Sequence, residues 1–332
     1  MKTSKVTIKE VAKDAGVSVG TVSRVLAKKA EVKQPLQERV QHSIAKLNYK
    51  PNMAARALRA NHVNVIGLML PDITNPYFAQ IANLLESEAS KRGYVLILAS
   101  SQGDVNHEAR QFLALLDHSP MGIVLIPTSD DIKIELPKHL RIAIMDRPLL
   151  GNNAIALDQG KSSALAANHL VELGHRRIAY IAGPLDIRAS IEREAGFSNR
   201  IAQLKSHHPS IELNIFRGQF DYASAEAIAR NILSQGQPDR PTAIAAASDQ
   251  QAIGAIRAAT DMGMSVPNEL SVIGFDDIIL ADLLVPRLTT IRQPVYDMVV
   301  EALDQILAKG HSIENRRYMG ELIVRHTTAS IK

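Results

Sequence analysis

The sequence holds no cysteine, which excludes disulfides, thiol catalysis and cysteine-ligated metals. Tryptophan is absent too. No stretch approaches the roughly 20 apolar residues that cross a bilayer. The opening "MKTSKVTIKE" lacks the apolar core of a secretory signal, so a cytoplasmic protein with no membrane partner is expected. Catalytic signatures are missing as well. No G-x-G-x-x-G follows a strand, and neither G-x-x-x-x-G-K-[ST] nor G-x-S-x-G occurs. The eleven histidines include His207, His208 and His175 but form no His-x3-His pair. His175 sits in the turn before a strand and reads as structural. No enzyme activity, cofactor or metal is expected.

Acids are scarce at one end. Residues 1–60 carry thirteen Lys and Arg against four acids (Glu10, Asp14, Glu31, Glu38), a charge of +9. The whole chain carries +4, so the remaining 272 residues hold −5. A basic head on a slightly acidic body suggests a polyanion-binding module joined to a second unit. Charge alone does not separate this from a solvated basic face. A length of 332 residues is about two domains, and 46% hydrophobic residues can build a sizeable core.

In the head, Ile8, Val11, Ala12 and Ala15 follow the spacing of one buried helical stripe. Thr7 can cap this helix, and Glu10 completes a capping box. Gly16 ends it. Ser18 opens a second helix, "VGTVSRVL", whose Val22, Val25 and Leu26 share a face opposite Gly20 and Arg24, with Val19 and Ser23 on its flanks. A third helix has Pro35 in its first turn and a stripe of Leu36, Val40, Ile44 and Leu47. Two helices joined by a tight glycine turn are a helix-turn-helix, whose second helix enters the major groove. Arg24 can donate two hydrogen bonds to a guanine. Val19 can meet a thymine methyl, and Gly20 lets the backbone come closer.

Residues 51–61 follow the break at Pro51. Asn52 is a good cap for the helix formers after it, but so short a helix orders only against a partner. Arg56 and Arg59 suit phosphates, and Leu58 suits insertion between base steps from the minor groove. On periodicity alone a passive linker is the stronger reading.

Beyond residue 60, apolar runs at 63–71, 94–100, 121–127, 141–146, 176–183, 241–249 and 270–277 read as buried parallel strands. Segments 79–92, 106–118, 161–174, 190–207, 222–235 and 250–263 read as the helices between them. Such alternation calls for doubly wound α/β sheets, and roughly ten strands call for two lobes. Ligands of such sheets bind beyond the carboxyl ends of the strands. Tyr77 and Phe78, Asp146 and Arg147, Asp158, Asp249 and Asp276 all follow strands, and as a set they suit a polyhydroxylated ligand.

"TIKEVAKDAGVSVGTVSRVL" and "LNYKPNMAARALR" resemble the head and hinge of the LacI/GalR family of bacterial transcription regulators. The resemblance continues through "DITNPYF", "MDRP", "LVELGHRRIAYIAGPLD", "EREAGF", "RPTAIAAASDQQAIGA", "VPNELSVIGFDD" and "PRLTTIRQP". It implies an all-α helix-turn-helix domain at 1–50, a hinge at 51–61, and a type I periplasmic-binding-protein-like core at 62–332. That core would have an N-lobe of about 62–160 and 293–323 and a C-lobe of about 161–290 and 326–332. Crossovers are expected near 159–162, 290–293 and 323–326.

The resemblance assigns DNA contact to Thr7, Ser18, Val19, Gly20, Thr21, Ser23, Arg24, Asn52, Ala55, Leu58 and Arg59. Gly20 stands where the family commonly has a side chain. Arg193 and Asp276 match effector-contacting residues, and Tyr77, Phe78, Asp146, Arg147, Asp158, Phe220 and Asp249 match other pocket positions. Ile187 replaces a polar residue of some members. Purine-binding members have tryptophan where this chain has Arg147, which argues against a stacked nucleobase, and "MDRP" is more like the sugar-responsive branch. The implied protein is a homodimeric repressor that binds a palindromic double-stranded DNA operator under control of a sugar or sugar derivative. The alternatives are control by a protein co-regulator and a sugar-binding transport protein; the basic head opposes the latter.

Overall fold

The computed structural model describes residues 7–26, 32–47, 49, 64–149, 151–236, 240–308 and 314–331. The chain divides into two compact units, Met1–Val63 and Asn64–Lys332.

In the first unit, α1 (Ile8–Ala15), α2 (Val19–Leu26) and α3 (Gln34–Lys46) close around Val11, Ala12, Ala15, Val22 and Val40. Glu10 reaches back to accept the Thr7 N–H at 2.6 Å, the reciprocal half of a capping box. The turn after α1 needs φ +64° at Gly16, a value glycine adopts without strain. It is held from α3. Arg39 donates to the carbonyl of Ala15 at 2.7 Å, and Asp14 accepts from Ser43 at 2.6 Å and Lys46 at 2.8 Å. The angle between α1 and α2 is therefore fixed by polar contacts as well as by the small core.

The second unit carries β1 (Val65–Leu70), α4 (Pro76–Lys91), β2 (Val95–Ser100), α5 (Val105–Asp117), β3 (Gly122–Leu125), β4 (Arg141–Met145), β5 (Ala154–Leu157) and α6 (Gln159–Glu172). It continues through β6 (Arg177–Ala182), α7 (Arg188–Lys205), β7 (Glu212–Arg217), α8 (Tyr222–Leu233), β8 (Ala243–Ala246), α9 (Asp249–Asp261), β9 (Ser271–Ile273) and α10 (Ile279–Leu283). Last come β10 (Thr290–Arg292), α11 (Val295–Leu307), β11 (Arg316–Tyr318) and β12 (Glu321–Ile323). Six parallel strands in the order β11-β5-β4-β3-β1-β2 form one lobe, and four in the order β7-β6-β8-β9 form the other. Central strands such as β1, β3, β5 and β8 are buried along their whole length, which is why they read as unbroken apolar runs. No helix among the described residues is long and apolar enough to cross a membrane.

Several elements fall outside the strands and helices expected from the sequence, β7, β10, α11, β11 and β12 among them. β7 falls in the stretch between the helices expected at 190–207 and 222–235. It is an edge strand of its sheet and is half exposed, so "ELNIFR" mixes polar and apolar residues without a continuous run. The pair β10–β12 is antiparallel and belongs to neither large sheet. The chain leaves the second lobe through β10, adds α11 and β11 to the first lobe, and returns through β12. After β12 the tail is tied to the second lobe by backbone bonds from Val272 to Thr327 and from Ile331 to Leu173.

His175 is buried where this tail docks, with Nδ1 2.9 Å from the Thr242 hydroxyl. Burial pushes its imidazole down to about 4. The folded value lies below the unfolded one, so its contribution is full above about pH 6.5 and is lost as pH falls toward 4. That loss is on the order of 3 kcal/mol. A denaturant titration of wild type and His175→Asn at pH 7 and pH 4.5 is expected to show a smaller acid-induced loss in the variant. Equal losses would remove His175 from the acid response.

Candidate functional site

On the head, the first turns of α2 present an exposed face. Ser18, Gly20, Ser23 and Arg24 are exposed, whereas Val19 and Thr21 are half-buried and Val22 is fully buried behind them. Ser18 Oγ accepts the Thr21 N–H at 3.1 Å, capping the helix and leaving its N-terminal turn ready to face a phosphate. Thr7 is exposed at the start of α1. Among the described residues Arg24 reaches back only to the carbonyl of Gly20, at 3.4 Å. Asn52, Ala55, Leu58 and Arg59 lie outside the described residues.

Packing does not require Gly20. A Cβ there would meet only Ser18 Oγ, at 3.6 Å. Gly20→Ala is expected to raise the stability of the head by up to about 1 kcal/mol. Its operator affinity should nevertheless fall if the bare backbone approaches DNA closely. A destabilised variant in a thermal melt would show that the glycine serves the fold instead.

In the second unit, one cleft lies between the lobes. It is lined by Asn75, Tyr77, Phe78, Asp146 and Arg147 from the first lobe and by Ile187, Ala189, Arg193, Phe220, Ser248 and Asp276 from the second. Asn75 caps α4 by accepting the Tyr77 N–H, which sets Tyr77 and Phe78 in the first turn. Asp146 follows β4 and Asp276 follows β9, with φ +65° and +119°. Non-glycine residues rarely adopt these values, and such strain persists where the surroundings enforce it. Here both carboxylates are turned into the cleft.

The side chains form one network across the lobes. Tyr77 Oη donates to Asp146 at 2.8 Å and lies 3.1 Å from Gln293 Oε1. Gln293 Nε2 donates to Asp276 at 2.8 Å, and Asp276 also accepts from Arg193 at 3.3 Å. Arg193 further donates to Gln159 Oε1 at 2.7 Å and to the carbonyl of Ala247 at 2.6 Å, with its guanidinium 3.9 Å from the Phe275 ring centre. Arg147 donates to the carbonyls of Pro127 and Thr128, and its guanidinium stands 5.3 Å from the Phe78 ring centre. Burial pushes the Asp276 carboxyl up to about 7, although Arg193 opposes the shift. Burial, with Asp146 adding to it, raises the Tyr77 phenol.

Two expected cleft residues are placed elsewhere. Asp158 caps α6, accepting the Lys161 N–H at 3.0 Å and pairing with Lys161 Nζ at 3.1 Å. It does not line the cleft. Asp249 is fully buried and accepts from Thr290 Oγ1 at 2.5 Å and from the Ile278 N–H at 2.9 Å, so it ties α9 to β10 and to the loop bearing Asp276. Next to Asp276, Asp277 accepts from Arg292 of β10 and pairs with Arg325 beyond β12, both at 2.7 Å. The cleft carboxylate is thus one residue away from a clamp on two crossovers. Gln293, Gln159, Asn75, Ala189 and Ser248 were not anticipated, because neutral residues on a crossover or a helix start carry no chemical pattern of their own.

Residues 7–52 match the bacterial regulatory proteins of the lacI family, and residues 167–328 match a periplasmic binding protein-like domain. The ribose operon repressor of Halalkalibacterium halodurans is 34% identical, with 97% of each chain covered. The transcriptional regulator DegA of Bacillus subtilis is 33% identical over 98% of this chain and 99% of its own. The transcriptional repressor PurR of Edwardsiella ictaluri is 34% identical, with 97% of each chain covered. Among solved structures, the Lac repressor dimer bound to operator and the anti-inducer ONPF superposes with a TM-score of 0.84. It is 26% identical over 98% of this chain and 100% of that one. The complex of the regulator CelR with cellobiose gives 0.67 at 28% identity, over 97% of this chain and 99% of that one. The chain belongs to the LacI family of bacterial regulators, DNA-binding transcriptional repressors with a ligand-binding domain of periplasmic-binding-protein type.

Proposed function

We propose that this repressor binds a palindromic operator as a homodimer and is controlled by a sugar or sugar derivative held between the lobes. Val19, Gly20 and Arg24 read bases, and Thr7, Ser18, Thr21 and Ser23 position the head on the DNA backbone. Asn52, Ala55, Leu58 and Arg59 act in the minor groove; their assignment rests on sequence alone. A dimer follows from the weakness of one short head as a reader and from the two-fold symmetry of palindromic sites. The operator-bound Lac repressor dimer supports it.

One observation carries the effector reading. Asp146, Asp276, Arg147 and Arg193 converge on a cleft that also presents the rings of Phe78 and Phe220. Carboxylates accept from sugar hydroxyls, guanidiniums donate to them, and rings cover the apolar face of the sugar. The ribose operon repressor and the cellobiose complex support this reading. PurR is as similar overall as the ribose operon repressor, so identity does not separate sugar from purine. The cleft supports the sugar reading: it presents no tryptophan, and Arg147 projects beside Asp146.

The test is the thermal stability of the full chain against neutral sugars, sugar phosphates, sugar acids and nucleobases. A ligand at 100 times its dissociation constant adds about 2.7 kcal/mol. A shift with any sugar or sugar derivative is the expected result. A shift with nucleobases alone would transfer the protein to the purine class, and silence would favour a protein co-regulator.

A further inference from the structure

We infer that the cleft accepts an electrically neutral sugar and rejects phosphorylated and acidic ones. The inference rests on the sugar reading and narrows it.

It comes from the charges around the cleft and how they are engaged. The lining holds two cations, Arg147 and Arg193, and two anions, Asp146 and Asp276, with no lysine. Each guanidinium already commits donors to the protein. Arg193 is shared among Gln159, Ala247 and Asp276. Arg147 is anchored on two carbonyls, with its Nε 4.0 Å from Asp146. The layer behind adds acid, not base. Fully buried Asp249 lies within electrostatic reach of Asp276, and fully buried Glu108 within reach of Arg147. Glu108 accepts the Thr128 N–H at 2.7 Å, while its other oxygen is buried without a hydrogen bond.

A phosphate or carboxylate binds where positive charge exceeds negative or where buried donors stand unpaired. Along this cleft two cations meet two anions, so the lining offers no positive surplus. The Asp276 carboxyl agrees with this balance. Surplus positive charge would hold Asp276 below the ordinary carboxylate range, yet burial raises it to about 7 despite Arg193. An anionic ligand would add charge to a site that already resists ionising its own aspartate. A neutral sugar adds none. Its hydroxyls can donate to Asp146 and Asp276 while its carbons lie on Phe78 and Phe220.

Calorimetric titration of the full chain tests this with matched probes. Neutral aldopentoses, aldohexoses and disaccharides are titrated first. Each sugar that binds is then compared with its own monophosphate and its aldonic or uronic acid. Sugar phosphates, sugar acids and inorganic phosphate are also titrated independently. The expected result is a neutral ligand whose Kd changes less than twofold between 50 and 300 mM NaCl, with its phosphate and acid at least tenfold weaker. Inorganic phosphate should give no heat. Charged derivatives binding within threefold of their parent, or binding where every neutral sugar fails, would overturn the inference while keeping the sugar reading. So would salt-sensitive binding of inorganic phosphate. No binding by any sugar or derivative would overturn the sugar reading and this inference with it.

Discussion

Operator affinity is expected to fall at least about 10³-fold between 50 and 200 mM salt, the drop produced by six to ten phosphate contacts. The physical source is the head. Its first 60 residues carry thirteen cations against four acids, and the two heads of the proposed dimer would bring twice that number to one operator. Not all of them are free. Arg39 is used to hold the turn between the first two helices, and Lys46 is paired with Asp14. Enough remain, Lys9, Lys13 and Arg24 among them, to release many counterions when the head docks. The body cannot produce this effect, because its charge is −5. Fluorescence anisotropy on a labelled operator fragment across that salt range gives the slope directly. A fall of less than about tenfold would mean only one or two phosphates are neutralised, too few for the proposed pair of heads.

The second large effect concerns the cleft. Arg193→Ala is expected to destabilise the ligand-binding unit by roughly 3 kcal/mol, toward the low end of what breaking a buried ion pair costs. At about 2–4 °C per kcal/mol this lowers its melting transition by roughly 6–12 °C. The residue is 5% exposed and its side chain holds together Gln159, the carbonyl of Ala247 and Asp276. Its removal strands an acceptor at each. The loss stays near the low end because Asp276, already raised to about 7 by burial, can take up a proton instead of remaining an unpaired charge. That gives the pH dependence a sign. The folded value of Asp276 exceeds its unfolded one, so its contribution is full at low pH and is lost as pH rises toward 7. Without Arg193 the carboxyl rises further, and the deficit of the variant should widen as pH rises through 7. Adding Asp276→Asn to Arg193→Ala should cost little more, since the two side chains share one interaction. A drop below about 2 °C, or a deficit that shrinks with rising pH, would show that Arg193 is not the anchor of this network.

Much of this architecture is legible in the sequence. Helical periodicity and a glycine at position 16 marked the helix-turn-helix, since a stripe of Val11, Ala12 and Ala15 admits no other regular structure. Fully buried parallel strands announce themselves as unbroken apolar runs, and the rule that ligands sit beyond strand ends pointed to Tyr77, Phe78, Asp146, Arg147 and Asp276. The edge strand at Glu212–Arg217 escaped because exposure on one side dilutes its apolar pattern.

The cleft was only partly legible. An aspartate after a strand serves equally well as a ligand, a helix cap or a tie between loops, and nothing within a few residues tells these apart. Asp158 turned back onto Lys161, and Asp249 was taken by Thr290 and Ile278. Asp276 alone among the three met Arg193, 83 positions away in the chain. Gln293 bridges the lobes because Tyr77, 216 positions earlier, arrives beside it. Local periodicity, charge and turn chemistry depend on neighbours in sequence, and they specified the elements, the basic head and the ends of the strands where a ligand sits. Which carboxylates face the cleft, and which cations are already engaged, depends on partners brought together across the chain, and only the packed lobes decide it.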